Sequence, residues 1–517
     1  MTAGGLSNYS RTPPPGPLPE AERGRKAFCS PSPLRGGGKG GGVPEQTLTR
    51  RQMLQLSGMG LGSVALAWLQ GQRLNAAPGG EKARAFDLRP KRPPNPARAR
   101  SVILLMQNGG PSQMDLFDPK PDLKKYNGRQ HSIKVEMFQT GSEQNKLLDT
   151  PFQFRRYGKA GTLMSEVIPH LGGVADDLCL IRSMHTGHNN HTEGLIMFMT
   201  GKIFQGRPSF GSWISYALGT ENQNLPAYVV LRDPAGYNTT GTLTWSSGWL
   251  PALYRGTEFS SAGSPVLNLR AAREQPDGVQ RDNLDFLARL NRRHQRDYPR
   301  ETELETRIQN YELAARMQLA TARVLDVTKE TAATQKLYGL DNPVTRAYGL
   351  RCLLARKLIE SGVRFVQIHP KPFQPWDTHV NTKPELTDIC GNTDLPAAGL
   401  IRDLKQRGLL DNTIVIWSGE FGRLPVSQNG TGRDHNRNAF SLLAAGGGFK
   451  PGFVYGETDE VGYAAAVNRV SVADFHATLL HQLGLDHETL SFNHSGRDET
   501  LTDASLTKAR VVEEALQ

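Results

Sequence analysis

From residue 101 onward, short runs of consecutive apolar residues alternate with longer segments of helical character, and this alternation strongly constrains the fold. The apolar runs predict strands at residues 101–106, 178–183, 227–231, 363–368, 413–417 and 440–444. Helices are predicted at residues 165–177, 344–361, 395–409 and 471–484. Strands that are apolar throughout and separated by helices favour an α/β fold with a mainly parallel central sheet covered by helices on both faces.

One long segment interrupts this alternation. Residues 280–338 are charged and carry no strand signal. Their apolar positions have the spacing of a helix, as at Leu284, Phe286, Leu287 and Leu290. We therefore expect a helical insertion packed on the sheet, within one large domain over residues 100–510.

The first hundred residues differ from the rest. Residues 1–45 are rich in glycine and proline, so we expect a disordered, low-complexity extension. Arg50 and Arg51 precede an apolar stretch of about 14 residues, a pattern typical of a twin-arginine export signal over residues 46–78. Residues 79–99 would then be a linker. The alternative to an export signal at residues 46–78 is a buried helix that follows a basic loop.

The predicted signal sets the expected location of the protein. An apolar stretch of about 14 residues is short for a bilayer core about 30 Å thick, so we expect no stable membrane span after cleavage. The twin-arginine export machinery would be a partner, and the mature chain would be periplasmic or otherwise exported. If the chain were instead a cytoplasmic structural protein, the paired arginines would have no role in export and would occur there by chance.

The charge of the chain is concentrated in the same region. Its formal net charge is +11, and residues 1–100 hold 16 Lys or Arg against 5 Asp or Glu. Residues 101–517 hold 45 of each and are neutral. A nucleic-acid partner is therefore not expected, because that function needs a basic face on the folded body.

Acidic residues and histidines recur at the ends of the predicted strands. In parallel sheets, ligands bind beyond the carboxyl ends of the strands. Carboxylate oxygens and neutral imidazole nitrogens together suit a divalent cation such as Zn, Mn, Ca or Mg. The candidate metal ligands are Asp115, Asp377, His379, Glu420, Asp434 and His435. Any single histidine among them could instead be an ordinary hydrogen-bonding residue.

Two arginines accompany these candidates. Arg423 and Arg433 suit an anionic substrate, because a guanidinium group matches the oxygens of sulfate or phosphate in pairs. The alternative is that both arginines orient the carboxylate ligands.

Several motifs in the same places resemble one protein family. They are GGPSQMDLFDPKP, HTGHNNHTEG with MTGK, WDTH, DNTIVIWSGEFGRLP with GTGRDHN, AAGGGFKPGFVYGETDEVGY, and VADFHATLLHQLGLDHE. Together they resemble the DUF1501 family of exported proteins, which belongs to the alkaline phosphatase-like/sulfatase clan. The resemblance implies an alkaline phosphatase/sulfatase-like fold, a divalent metal ion, and a nucleophile near the start of a helix that attacks sulfur or phosphorus in line.

The resemblance carries over to individual residues with departures. Asp115 matches the acidic ligand after the first strand, with Asp118 as the fallback. His191 stands where sulfatases have the cysteine that becomes formylglycine, and Thr192 supplies the adjacent hydroxyl. Either Thr192 is the nucleophile, or His191 is a ligand and the chemistry differs. Glu420 followed by Phe421 replaces the acidic residue and second ligand of the clan, which favours one metal ion over two.

Two functions follow from the resemblance and the residues. The first is a sulfatase-like hydrolase without the formylglycine cysteine, which acts on sulfate or phosphate esters. Its partner would be a small anionic ester or a sulfated or phosphorylated glycan. The second is a non-catalytic cell-envelope binding protein that retains the fold, with or without the metal ion. The residues Thr192, His191, Arg423 and Arg433 are the candidates for catalysis.

Overall fold

A mixed sheet of nine strands runs through the part of the chain that the computed structural model describes, residues 86–262, 278–298 and 302–517. The predicted low-complexity extension and export signal lie outside these residues. The strands are β1 (Ser101–Met106), β2 (Leu178–His185), β3 (Tyr228–Leu231), β4 (Thr257–Glu258), β5 (Phe365–Ile368), β6 (Thr413–Ser418), β7 (Phe440–Ala445), β8 (Phe453–Tyr455) and β9 (Val470–Ser471).

The strand order is β8–β2–β7–β6–β1–β5–β3–β4, and β9 also pairs with β2. The strand β7 is antiparallel to both of its neighbours, and every other pair in this sheet is parallel. All residues of β1, β3, β5, β6 and β7 are buried, so both faces of the sheet are covered. The predicted α/β class with a mainly parallel sheet is thus confirmed.

Helices of very different lengths surround the sheet. They are α1 (Gln113–Leu116), α2 (Pro121–Lys125), α3 (Pro169–Gly172), α4 (His191–Thr200), α5 (Phe210–Leu218), α6 (Val279–Asp297), α7 (Thr302–Val324), α8 (Ala332–Leu337), α9 (Arg346–Glu360), α10 (Thr382–Gln406), α11 (Val472–Gln482) and α12 (Ala504–Thr507). The helices α9 and α11 match two of the predicted segments closely. The third, α10, begins 13 residues before the predicted start and contains Pro396.

The predicted helix at residues 165–177 is wrong for most of its length. Residues Thr162–Ser165 form a strand, and α3 begins at Pro169 and ends before Gly173 after a single turn. The proline fits the first turn of a helix, whereas paired glycines weaken its continuation. A short 3₁₀ turn at Ala175–Asp177 then leads into β2.

The segment predicted as a helical insertion contains α6, α7 and α8. Every side chain of α6 is at least partly exposed, including Leu284, Phe286, Leu287 and Leu290. These four side chains therefore do not pack on the sheet as expected, because α6 lies against α7 instead.

Four two-stranded ribbons complete the architecture. One pairs Gly422–Arg423 with His435–Asn436, and it sets Arg423 opposite His435. The others pair Phe154–Tyr157 with Thr162–Ser165, Glu457–Thr458 with Ala465–Val467, and Ser491–His494 with Arg497–Thr500. Among the residues described, no helix combines the length and the apolar composition that a membrane crossing needs.

Candidate metal centre

Four segments of the chain meet at one edge of the sheet. The strands β2, β5 and β6 are parallel, so the residues that follow them emerge at the same edge. The strand β7 runs the opposite way, so the residues that precede it reach that edge too. His191, Asp377, Glu420 and His435 are brought together in this way, although they span more than 240 residues of sequence.

Three histidines surround one carboxylate at this edge. His191, Asp377, His379 and His435 each offer a ligand atom, and these atoms all lie within 4.8 Å of one another. Asp377 Oδ1 lies 2.8 Å from His379 Nε2 and 3.1 Å from His435 Nε2. Its other oxygen, Oδ2, lies 3.2 Å from His191 Nε2. The four side chains form a compact group with one oxygen donor and three nitrogen donors.

Hydrogen bonds on the far side of two rings fix their tautomers. His435 Nδ1 donates to the carbonyl oxygen of Asn189 at 2.6 Å. His379 Nδ1 lies against Gln428 Oε1, and Gln428 Nε2 donates to the carbonyl oxygen of Thr140 at 2.7 Å. The amide of Gln428 is thereby oriented to accept from His379. Both rings consequently carry their proton on Nδ1 and present the lone pair of Nε2 to the group.

The third ring is held by a buried carboxylate. Glu420 is fully buried, and its Oε1 accepts from His191 Nδ1 at 2.6 Å. Both carboxylate oxygens of Glu420 also accept from the backbone N–H of Gly109, at 2.9 and 3.1 Å. Among the described residues, His191 Nε2 is buried without a hydrogen-bond partner of acceptable geometry. A carboxylate behind a histidine ligand is a common way to orient the ring and raise its basicity.

The chemistry of this donor set fits a divalent cation. His379 Nε2 and His435 Nε2 lie 2.9 Å apart, and the tautomers described above place a lone pair on each. Two lone pairs at this distance repel each other unless a proton or a cation lies between them. Three imidazole nitrogens and one carboxylate suit Zn²⁺ or Mn²⁺ better than Ca²⁺, which prefers oxygen ligands.

The electrostatics keep the carboxylate ionised and one ring neutral. Burial opposes ionisation of Asp377, but the Arg423 guanidinium beside it holds its pKa well below the usual range. Burial lowers the pKa of His435 to about 3, so this ring is neutral near pH 7. Burial also lowers the pKa of His191, but the neighbouring carboxylates of Asp377 and Glu420 raise it by more. A cation at this site would therefore compete with a proton at His191.

Close backbone contacts explain why glycine occurs beside the ligands. A Cβ atom on Gly432 would lie 1.8 Å from the carbonyl oxygen of His379, so this turn needs glycine to pass that close. Gly109 has a φ of +117°, and a Cβ there would lie 2.7 Å from the backbone nitrogen of Trp376. Both glycines allow the loops that carry the ligands to lie against their neighbours.

The other predicted ligands lie around the group rather than in it. Asp115 is fully buried and receives Arg433 Nε at 2.8 Å and Ser112 Oγ at 2.5 Å. Asp434 Oδ2 accepts from the backbone N–H groups of Phe138 and Gln139 at 2.7 and 2.8 Å. Asp115, Asp434 and Glu420 accept hydrogen bonds from neighbouring groups and do not belong to the four-residue group. The four-residue group therefore contains three of the predicted ligands and adds His191, which the sequence suggested for catalysis.

The two predicted anion-binding arginines are fully buried. Arg423 Nη2 donates to Asp377 Oδ1 at 2.7 Å, and Arg423 Nε donates to the carbonyl oxygen of Gly110 at 2.8 Å. Arg433 pairs with Asp115 and also donates to backbone carbonyl oxygens. Each arginine therefore lies where it can orient a carboxylate, which is the alternative role given in the sequence analysis.

Thr192, the predicted nucleophile, is the second residue of α4 and is half-buried. Its backbone N–H donates to the capping side chain of Asn190 at 3.2 Å. Thr192 therefore lies directly beside His191, at a helix N-terminus, where backbone N–H groups favour anionic oxygens.

Two aromatic rings lie against the histidines. The ring of Phe138 stacks on His435 with centroids 4.7 Å apart and an interplanar angle of 17°. Phe421 lies against both His435 and His191, at 4.7 and 4.9 Å. Phe138 lies more than 30 residues after the end of the predicted strand at residues 101–106, so no pattern in the sequence assigned it to the site.

One protein-family model matches most of the chain. The model of the family described as "Protein of unknown function (DUF1501)" matches residues 99–516. No curated protein matches.

Among solved structures, the chain is similar to a sulfatase, a phosphonate monoester hydrolase and a zinc-bound periplasmic domain. A sulfatase from Pseudoalteromonas sp. has 14% identity and a TM-score of 0.32, with 76% of this chain and 69% of that chain covered. A phosphonate monoester hydrolase from Silicibacter pomeroyi has 10% identity, a TM-score of 0.33 and coverages of 81% and 76%. The periplasmic domain of EptC from Escherichia coli, in complex with Zn, has 8% identity, a TM-score of 0.34 and coverages of 82% and 97%.

Proposed function

The chain belongs to the DUF1501 family, and from the chemistry of its own site we propose that it is a metal-dependent hydrolase of sulfate or phosphate esters. The observation that carries the proposal is the convergence of three histidine Nε2 atoms on the Asp377 carboxylate. Water would be added across the ester bond, giving an alcohol and the sulfate or phosphate anion.

We propose that His191, Asp377, His379 and His435 hold one divalent cation, with Zn²⁺ or Mn²⁺ favoured by the nitrogen donors. Such a cation stabilises negative charge on the transferred group and acidifies a hydroxyl bound near it. Glu420, Gln428 and the backbone of Asn189 keep the three rings in the tautomer that can bind it. The chain itself thus supplies the orientation that a ligand set needs.

The proposed nucleophile is the hydroxyl of Thr192. Its position beside His191, at the start of a ten-residue helix, supports this role. The N-terminus of α4 would favour the negative charge that develops during attack on phosphorus or sulfur. Arg423 and Arg433 are proposed as positioning residues, since each is buried against a carboxylate.

One observation favours the second candidate, a non-catalytic binding protein of the cell envelope. Phe421 occupies a position beside Glu420 where the clan has a polar ligand, and its ring covers His191 and His435. An apolar ring there removes one route by which a second cation could be bound. This candidate retains the single metal ion and lacks turnover.

We propose that the protein acts outside the cytoplasm. The paired arginines Arg50 and Arg51, with the apolar stretch after them, support export by the twin-arginine machinery over residues 46–78. The partners proposed for the exported chain are a small anionic ester or a sulfated or phosphorylated glycan.

Turnover of generic esters by the full-length chain tests the hydrolase. The purified protein is loaded with Zn, Mn, Ca or Mg and assayed on aryl sulfates and aryl phosphates, alongside Thr192→Ala and the exposed control His481→Ala. We expect Thr192→Ala to bind metal normally and to lose at least 100-fold in turnover, whereas His481→Ala should match the unaltered chain. If the unaltered chain and both variants bind metal but none of them hydrolyses any of these esters, the binding protein is supported instead.

A further inference from the structure

Residues 138–140 form a short strap across the rim of the metal centre. The backbone N–H groups of Phe138 and Gln139 both donate to Asp434 Oδ2, and the carbonyl oxygen of Thr140 accepts from Gln428 Nε2 at 2.7 Å. Asp434 is fully buried, and Gln428 also holds the ligand His379. The backbone of the strap is therefore tied to the segment that carries His435, and Gln428 links it from there to the side chain of His379.

The side chain of Gln139 reaches from this strap to a ligand atom. Gln139 Nε2 lies 3.4 Å from His379 Nε2, the atom whose lone pair faces the metal group. Since Nδ1 of His379 donates to Gln428, the only acceptor that His379 offers to Gln139 is this lone pair. The contact is long for a hydrogen bond, so it contributes little to holding Gln139 in place.

A cation would take away the acceptor of Gln139. The lone pair of His379 Nε2 would then point at the cation, and the two amide hydrogens of Gln139 would lie beside it without that acceptor. Gln139 is exposed, so its amide lies on the open side of the centre, where a ligand can approach. The oxygens of an anion bound at the cation are the acceptors that this position favours.

We infer that Gln139 binds the substrate, and that its amide donates a hydrogen bond to an oxygen of the sulfate or phosphate group. This inference rests on the proposed function and assigns a residue to the recognition of the transferred group. The aromatic ring of Phe138, which is next to it in the strap, stacks on His435 and closes that side of the centre. The strap thus offers one polar side chain to a bound anion and covers one side of the centre with an apolar ring.

Binding measurements on the full-length chain test the inference without relying on turnover. The variants are Gln139→Ala, Gln139→Glu and the control Gln144→Ala, an exposed glutamine in the same loop. Calorimetry measures first the affinity for Mn²⁺ or Zn²⁺ alone, and then the affinity of the metal-loaded protein for inorganic phosphate.

We expect Gln139→Ala to keep its metal affinity within about twofold and to bind phosphate about tenfold more weakly, as for loss of a hydrogen bond to a charged group. Gln139→Glu should bind the metal more tightly and phosphate more weakly still, because its carboxylate attracts the cation and repels the anion. A merely structural role of Gln139 would not weaken phosphate binding in Gln139→Ala while leaving the metal affinity unchanged. Gln144→Ala should change neither.

The outcomes separate this inference from the proposed function. If the unaltered chain binds metal and phosphate, and Gln139→Ala binds phosphate equally well, the assignment of Gln139 is overturned while the metal site stands. If the unaltered chain binds no metal, the proposed function fails and the assignment of Gln139 fails with it.

Discussion

Arg423 Nη2 donates to Asp377 Oδ1 at 2.7 Å, so a fully buried guanidinium orients the one carboxylate that three histidines share. The same guanidinium donates to the carbonyl oxygens of Gly110 and Trp376. These two residues lie in the loops that follow β1 and β5. Arg423 therefore couples the geometry of the proposed metal ligands to the packing of the sheet edge.

Replacing Arg423 should destabilise the fold. In Arg423→Met, the buried Asp377 and several carbonyl oxygens lose their partner, which typically costs about 3–5 kcal/mol of unfolding free energy. Urea unfolding measures this cost. Arg497→Met is the control, since Arg497 is exposed and its ion pairs with Asp503 and Glu499 should be worth about 1 kcal/mol or less. Equal stability of the two variants would contradict the role of Arg423.

Glu420 should tune the metal affinity without binding the metal. In Glu420→Gln the hydrogen bond to His191 Nδ1 is no longer made to a negative charge, so the ring becomes a weaker donor to the cation. We expect the metal affinity to fall about 10–100-fold, the usual range for a residue behind a histidine ligand. Competition with a chromophoric chelator measures the change. Glu488→Gln, an exposed substitution in another part of the chain, should leave the affinity unchanged.

Asp394 should make stability depend on pH. Burial raises the pKa of this carboxyl to about 7, although it accepts from the backbone N–H groups of His170 and Leu171. The folded state then keeps a proton that the unfolded chain loses above about pH 4. Stability from this group is therefore lost as the pH rises from about 4 to about 7, by up to about 4 kcal/mol.

The substitution Asp394→Asn removes this titration. The unfolding free energy of the variant minus that of the unaltered chain should be larger at pH 7.5 than at pH 4.5. A hydrogen bond lost in the variant adds the same offset at both pH values and does not affect this comparison. Urea unfolding at the two pH values measures the gain, with Asp388→Asn on the same helix as the exposed control. A difference between variant and unaltered chain that is the same at both pH values would refute the role of Asp394.

Much of the sheet could be predicted from the sequence, because strands buried on both faces read as uninterrupted apolar runs. All six predicted runs are strands, and the residues that follow β5 supplied Asp377 and His379. The pattern could not give the direction of β7. Its antiparallel pairing explains how His435, which precedes this strand, reaches the same edge as residues that follow the others.

The parts of the site that the sequence did not reveal depend on long-range packing. The roles of Glu420 and Gln428 are set by which ring nitrogen each one faces, and spacing along the chain carries no information on that. Phe138 and Gln139 reach the centre because the buried Asp434 binds their backbone N–H groups from almost 300 residues away. The early start of α10 was missed because residues 382–394 are polar and precede Pro396.

The most direct measurement is the metal content and metal affinity of the full-length chain. We expect one Zn²⁺ or Mn²⁺ ion per chain by elemental analysis and calorimetry, and its loss in the double variant His379→Ala/His435→Ala, which should still fold as judged by circular dichroism. His481→Ala should retain the ion. A chain that binds no ion in a fixed ratio, or a folded double variant that binds it as tightly as the unaltered protein, would contradict the metal centre.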